Sequence, residues 1–108
     1  MQEKTWYDYF DEDPYEQIGR FVKGAFGEDI SVIMPRISWA YLDWLEQNEK
    51  ISLRLFFEDV EKVRTENHGN MHEVYQATIH HNFLKREKEK LPRPEWCEPA
   101  EPEDLLDL

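Results

Sequence analysis

The run Ile30-Ser31-Val32-Ile33-Met34-Pro35 constrains this chain more than any other stretch, because it reads as a strand that must stop at a fixed residue and turn directly into a helix. Under a period of two, Ile30, Val32 and Met34 fall on one side and Ser31 and Ile33 on the other. Pro35 has no N–H to give a ladder, so the strand ends there. Beyond it, Trp39, Leu42 and Leu45, flanked by Tyr41 and Trp44, recur at helical spacing and give a wide apolar face. A lone strand leaves its backbone N–H and C=O groups without partners. No second strand stands out, so the expected partner is the same strand of another copy. The chain is therefore expected to be an obligate homodimer joined through Ile30, Val32 and Met34, with Trp39 and Leu42 behind them.

Ahead of that strand, residues 1–28 are expected to form an acidic aromatic arm with a short helix. Trp6, Tyr7, Tyr9 and Phe10 alternate without clean period with Asp8, Asp11, Glu12 and Asp13. Such a mixture suits either a segment that docks on a partner or an arm folded over its own core. Asp13-Pro14-Tyr15-Glu16 reads as a helix start, with Asp13 as N-cap, Pro14 in the first position and Glu16 reaching back. The helix runs to about Lys23, burying Tyr15, Ile18, Phe21 and Val22, and Gly24 and Gly27 end it.

Residues 29–90 form the expected core. Asn48-Glu49-Lys50 is a tight connection, and Ser52 is placed to cap a helix whose Leu53, Phe56, Phe57 and Val60 fall at i, i+3, i+4 and i+7. His68-Gly69-Asn70 breaks the pattern. Asn70 and Glu73 then make a capping pair for a third helix with Met71, Val74, Tyr75, Thr78, Ile79 and Phe83 on one stripe. Lys85, Arg86, Lys88 and Lys90 stand where the helix macrodipole favours cations, which accounts for this basic run without a nucleic acid. Residues 91–108 hold four of the six prolines and are expected to be a disordered acidic tail. Its Leu105-Leu106-Asp107-Leu108 end is either a docking tip or a frayed terminus.

The net charge of −11 is unevenly distributed: residues 1–29 carry eight acids and three bases, residues 30–90 ten and nine, residues 91–108 six and one. An aromatic content of 14% is too high for a wholly disordered chain. The sequence has no GxxxxGK[ST], no GxGxxG after a strand and no GxSxG, so nothing argues for an enzyme or for a cofactor. His68 and His72 are four apart, but Gly69-Asn70 intervenes, so they do not share a helix face and no metal site is expected. His80-His81 reads as helix surface with one imidazole partly buried. Cys97 cannot form an internal disulfide and has no base beside it to make a nucleophile. The start lacks a basic region followed by an apolar run and no segment reaches membrane-spanning length, so a cytoplasmic protein without a membrane partner is expected.

Strand, helix, turn, helix, with a strand that demands a twin, resembles the ribbon-helix-helix proteins. The resemblance extends over about residues 29–84 and rests on three short motifs. Ile30-Ser31-Val32-Ile33-Met34 with Trp39 and Leu42, then Ile51-Ser52-Leu53-Arg54-Leu55, then Gly69-Asn70-Met71-His72-Glu73-Val74 are similar to a bacterial subfamily. Its pattern runs T-S-x-R-L, F-W-x-x-L, S-L-x-x-L and N-L-S-S-A. The resemblance implies a mainly α fold, a ribbon-helix-helix dimer with one short strand per chain and a further C-terminal helix, to which this chain is expected to add the N-terminal helix read above. It also implies that the paired strands enter the DNA major groove through Ser31 and Ile33 while the start of the next helix holds phosphate.

Ile33 departs from that pattern, which has a basic residue at this groove-facing position; an alkyl group cannot bond a base edge. Ser31 still can, and Arg36, Lys50 and Arg54 are placed to reach phosphate beside Ser52. A near-neutral core with two acidic arms matches a polyanion poorly, since phosphate neutralisation supplies much of such affinity. The leading expectation is thus a dimeric DNA-binding regulator or accessory factor with weak DNA affinity. The alternatives are a scaffold redirected to protein binding, in which acidic arms occupy another protein's nucleic-acid-binding surface, and an antitoxin-like protein that uses both.

Overall fold

A computed structural model describes residues 10–106. The chain runs β1 (Gln17–Lys23), β2 (Asp29–Pro35), α1 (Arg36–Glu49), α2 (Leu53–Glu66), α3 (Met71–Lys88) and a single turn, α4 (Pro102–Leu105). The two strands make one antiparallel sheet that lies against the three long helices, a mixed α/β arrangement.

β2 falls where expected, ending at Pro35 as α1 begins. Its partner does not. β1 pairs with it along the whole length, from Gln17 opposite Pro35 to Lys23 opposite Asp29. The segment expected to be an N-terminal helix is therefore a strand, and the described residues hold two strands where one was expected. The local chemistry at Asp13 is real but serves a turn: its carboxylate accepts from the Tyr15 N–H at 2.9 Å and its carbonyl from Glu16. Asp-Pro suits a turn as well as a helix start. What decides between them is β2, whose unpaired ladder and apolar side take up Ile18 and Val22 on a period of two. Because β1 supplies that ladder, the unpaired strand that argued for a homodimer does not exist. The five-residue connection closes on itself, Gly24 donating to the Glu28 carbonyl at 2.8 Å, with Gly27 at φ +81°, where a side chain would be strained.

The lead-in to β1 also starts α1. Pro35 gives that helix no side-chain cap. Instead the carbonyls of Glu16 and Pro14 accept from the N–H groups of Arg36 and Ile37, each at 2.8 Å, over a fully buried Pro14. Two of the donors that a helix start leaves orphaned are thereby satisfied. α1 ends on Lys50 in the left-handed conformation. The caps expected for α2 and α3 are present, Ser52 Oγ accepting from Leu55 and Asn70 Oδ1 from Glu73.

Val32 and Met34 from β2, Trp39, Leu42 and Leu45 from α1, Phe57 and Val60 from α2 and Tyr75 and Ile79 from α3 make the core. Its middle is a run of rings, Trp39 to Phe57 at 5.9 Å and Phe57 to Tyr75 at 6.0 Å between centroids. One charge goes in with them: Glu61 is 1% exposed and takes both nitrogens of an Arg64 fork at 2.6 and 2.8 Å. Those hydrogen bonds hold its carboxyl below the usual range against the opposing effect of burial. Tyr75 lies beside this pair, and burial pushes its hydroxyl pKa up.

Residues 91–106 are not the loose tail expected from their prolines. Pro94 is fully buried, Trp96 and Cys97 pack on the core, and the Phe10 ring meets Trp96 edge-on at 5.2 Å. Arg93 binds Glu87 at 3.0 Å and the Cys97 carbonyl at 3.2 Å, while Arg86 joins Glu49 to the Pro92 carbonyl. Burial pushes the Cys97 thiol up to about 12, so it stays protonated at neutral pH. Proline density limits such a segment to a single helical turn, α4, but does not keep it from docking on a surface already formed.

Two outcomes follow. Deleting residues 92–108 lowers the thermal midpoint by about 5 °C or more, the shift that about 1 kcal/mol makes in a chain this size; an unchanged midpoint by calorimetry would show the segment undocked. Glu61 has a folded pKa below its unfolded value, so its stabilisation is present above the unfolded value and lost as pH falls through the folded one. Urea midpoints should therefore decline from about pH 4.5 downward, and Glu61→Gln should flatten that decline while costing about 1–3 kcal/mol at neutral pH.

Candidate functional site

The register of the hairpin sorts its side chains into two faces. Ile18, Arg20 and Val22 of β1 and Ile30, Val32 and Met34 of β2 face the helices. Gln17, Gly19, Phe21 and Lys23 of β1 and Asp29, Ser31, Ile33 and Pro35 of β2 form the other face, with Phe21 opposite Ser31 and Gly19 opposite Ile33. This outer face is open and apolar at its centre. Phe21 is 80% exposed, Ile33 56%, and Phe26, in the connecting loop, 89%. Gly19 leaves Ile33 uncovered, since even a Cβ there would touch only the Ile33 side chain, at 3.7 Å.

A hollow of about 260 Å³ adjoins this face, lined by Gln17, Ser31 and Ile33 from the sheet and by Asn70, Met71 and His72 at the start of α3. Asn70 is already engaged in capping, which leaves His72 as the exposed ionisable group on the hollow. Tyr41 sits elsewhere, donating to Asn82 Oδ1 at 3.0 Å, with burial pushing its hydroxyl up to about 12.

The residues expected to touch nucleic acid are dispersed. Ser31 and Ile33 are exposed on the outer face. Arg36 is held at 2.6 Å by both Glu12 and Glu16 and at 3.2 Å by the Asp13 carbonyl. Arg54 pairs with Glu58 at 3.5 Å, and the Ser52 hydroxyl is used as the α2 cap. Lys50 is exposed at the end of α1. None of these four lines the hollow beside Ser31 and Ile33. Of the residues expected at a dimer interface, Val32, Met34, Trp39 and Leu42 are each at most 2% exposed inside a single chain, and Ile30 packs against them.

The hairpin's own cations are also committed. Arg20 forms two bonds to Asp43, at 3.0 and 3.1 Å, and lies 4.7 Å above the Trp39 ring. Lys23 binds Asp29 at 2.6 Å across the sheet. Among the described residues no group of three or more His, Cys, Asp or Glu could hold a metal ion, and no helix is long and apolar enough to cross a membrane. The acidic-aromatic residues Trp6 to Tyr9, and the Asp107-Leu108 end, lie outside the described residues.

Phe21 and Phe26 are not among the expected site residues, and the helix expected over this segment would bury Phe21. The signal was present: two apolar runs joined by a short connection bearing Gly24 and Gly27. The chain matches no family model, no curated protein and no solved structure.

Adjacent residues of β2 should respond oppositely to substitution. Ile33→Ser, on the open face, should change stability by less than about 0.5 kcal/mol, whereas Met34→Ala should cost about 2–5 kcal/mol. Denaturant titration of the two variants checks which face is buried.

Proposed function

We propose that this chain is a protein-binding module, an acidic adaptor or inhibitor that sets the outer face of its hairpin on the basic, nucleic-acid-binding surface of another protein. The observation that carries this reading is the pairing of exposed apolar side chains, Phe21 and Ile33 on the outer face and Phe26 in the loop, with an acidic setting whose cations are used up. Residues 10–35 carry six acids against two bases, and both bases, Arg20 and Lys23, are in ion pairs. Two exposed phenylalanines and an isoleucine on one small element make the kind of apolar anchor that protein interfaces bury. The surrounding carboxylates steer it to a positive surface.

The DNA reading has less to stand on. Affinity for a duplex comes largely from cations that neutralise phosphate. Arg36 and Arg54 would first have to leave Glu12, Glu16 and Glu58. The strand position that would read a base holds Ile33, which has nothing to donate.

The test compares two ligands. Wild-type chain should fail to shift a random or mixed-sequence duplex at low salt, and immobilised chain should retain a protein from extract. Phe21→Ser with Phe26→Ser should reduce that retention about tenfold, the effect of losing somewhat over 1 kcal/mol. Duplex binding that falls steeply with salt and ignores both phenylalanines would overturn the proposal in favour of DNA.

A further inference from the structure

The rungs at the two ends of the hairpin fix which backbone groups are spare. Arg36 donates to the Glu16 carbonyl and Gly24 to the Glu28 carbonyl, each at 2.8 Å. In an antiparallel ladder bonded pairs alternate with unbonded ones. With these two as bonded pairs, the pairs between them are Ile18 with Met34, Arg20 with Val32 and Val22 with Ile30. Ser31 and Ile33 thus direct both N–H and C=O away from β1, along the outer edge of β2. Both residues are exposed, and no other hydrogen bond reaches their backbone among the described residues. Lysines and prolines commonly blunt an exposed edge of this kind. Here Pro35 closes one end of β2, and between Asp29 and that proline every residue is uncharged.

Beside that edge lies the hollow bounded by Ile33, Met71 and His72, on the outer face. A strand added to an exposed edge gains main-chain hydrogen bonds from the ladder and specificity from pockets that receive alternate side chains. Both components occur together at β2. Asp29 begins the strand, Glu28 precedes it and Glu73 stands one residue beyond the hollow; with Lys23 held by Asp29, the charge around the edge is still negative. We infer that the outer edge of β2 takes an extended, lysine- or arginine-bearing segment of a partner protein as a third strand, with one aliphatic side chain in the hollow between Ile33 and the start of α3. This rests on the protein-binding reading above and gives its partner a conformation and a charge.

The probe is a short labelled peptide alternating valine and lysine, titrated into the full chain by fluorescence anisotropy at low salt. Saturable binding is expected. N-methylation of alternate peptide amides, which removes donors from one edge without altering the protein, should weaken it about tenfold or more, through loss of two or three hydrogen bonds. Glutamate in place of lysine should weaken it similarly. Ser31→Pro, which deletes one spare donor, is the matching change in the protein. No binding of the lysine peptide, or equal binding of the methylated or acidic versions, overturns strand addition. In those cases the outer-face reading stands or falls separately, on whether Phe21→Ser with Phe26→Ser releases the protein partner. A concentration-dependent dimer that Ser31→Pro dissolves also overturns it, because the edge is then occupied by a second copy.

Discussion

The ladder between β1 and β2 is the constraint on which the remaining structure depends. Without it β2 would have one apolar side and no hydrogen-bonding partner, a combination that forces association. With it, Val32 and Met34 are pressed onto Trp39, Leu42 and Leu45 by a sheet that belongs to the same chain. The same lead-in that delivers β1 lays the Pro14 and Glu16 carbonyls over the first amides of α1, so the helix start is capped by backbone where its sequence provides no side-chain cap. Trp39 closes the arrangement by donating its ring N–H to the Ile18 carbonyl at 2.8 Å. Hairpin, helix start and central aromatic residue are therefore one cooperative unit.

That unit determines the electrostatics as well. Folding the lead-in over α1 brings Glu12 and Glu16 to Arg36, and laying β1 across the core brings Arg20 to Asp43. These pairs are partly exposed, and each contributes little to stability. Their larger effect is on what the surface can recognise. A cation bound to two carboxylates presents no net positive charge, so the base of the hairpin ends negative although the core sequence is nearly neutral.

How much of this was legible in the sequence depends on whether a signal was local. Ser52 and Asn70 act on amides three residues away, so their caps could be read from spacing, and the stripes of α1 and α2 from period. β2 was legible because Pro35 sets its end. β1 was not, because Ile18, Phe21 and Val22 satisfy a helical spacing while Ile18 and Val22 without Phe21 also satisfy a strand spacing, and the choice between them is made by residues eight to sixteen positions away in β2. Once β1 is read as a helix, the outer face goes with it, because Phe21 then falls on the buried side. The docked segment around Pro94 failed for the same reason, since nothing within it marks the surface that receives it.

Three exposed apolar side chains on one hairpin also set a scale for what it can bind. Burying Phe21, Phe26 and Ile33 fully would supply about 2 kcal/mol each, against an association cost of about 4 kcal/mol or more before any side chain is ordered. Apolar contact alone therefore leaves a marginal complex. Charge attraction speeds encounter and selects among partners more than it tightens the bound state. The remaining source of affinity on this face is directional hydrogen bonding, and the spare ladder groups of Ser31 and Ile33 are where the hairpin offers it with its backbone already fixed. A rigid edge loses little entropy on binding, which is why a two-stranded sheet too small to fold alone can serve as a recognition element once three helices hold it in place.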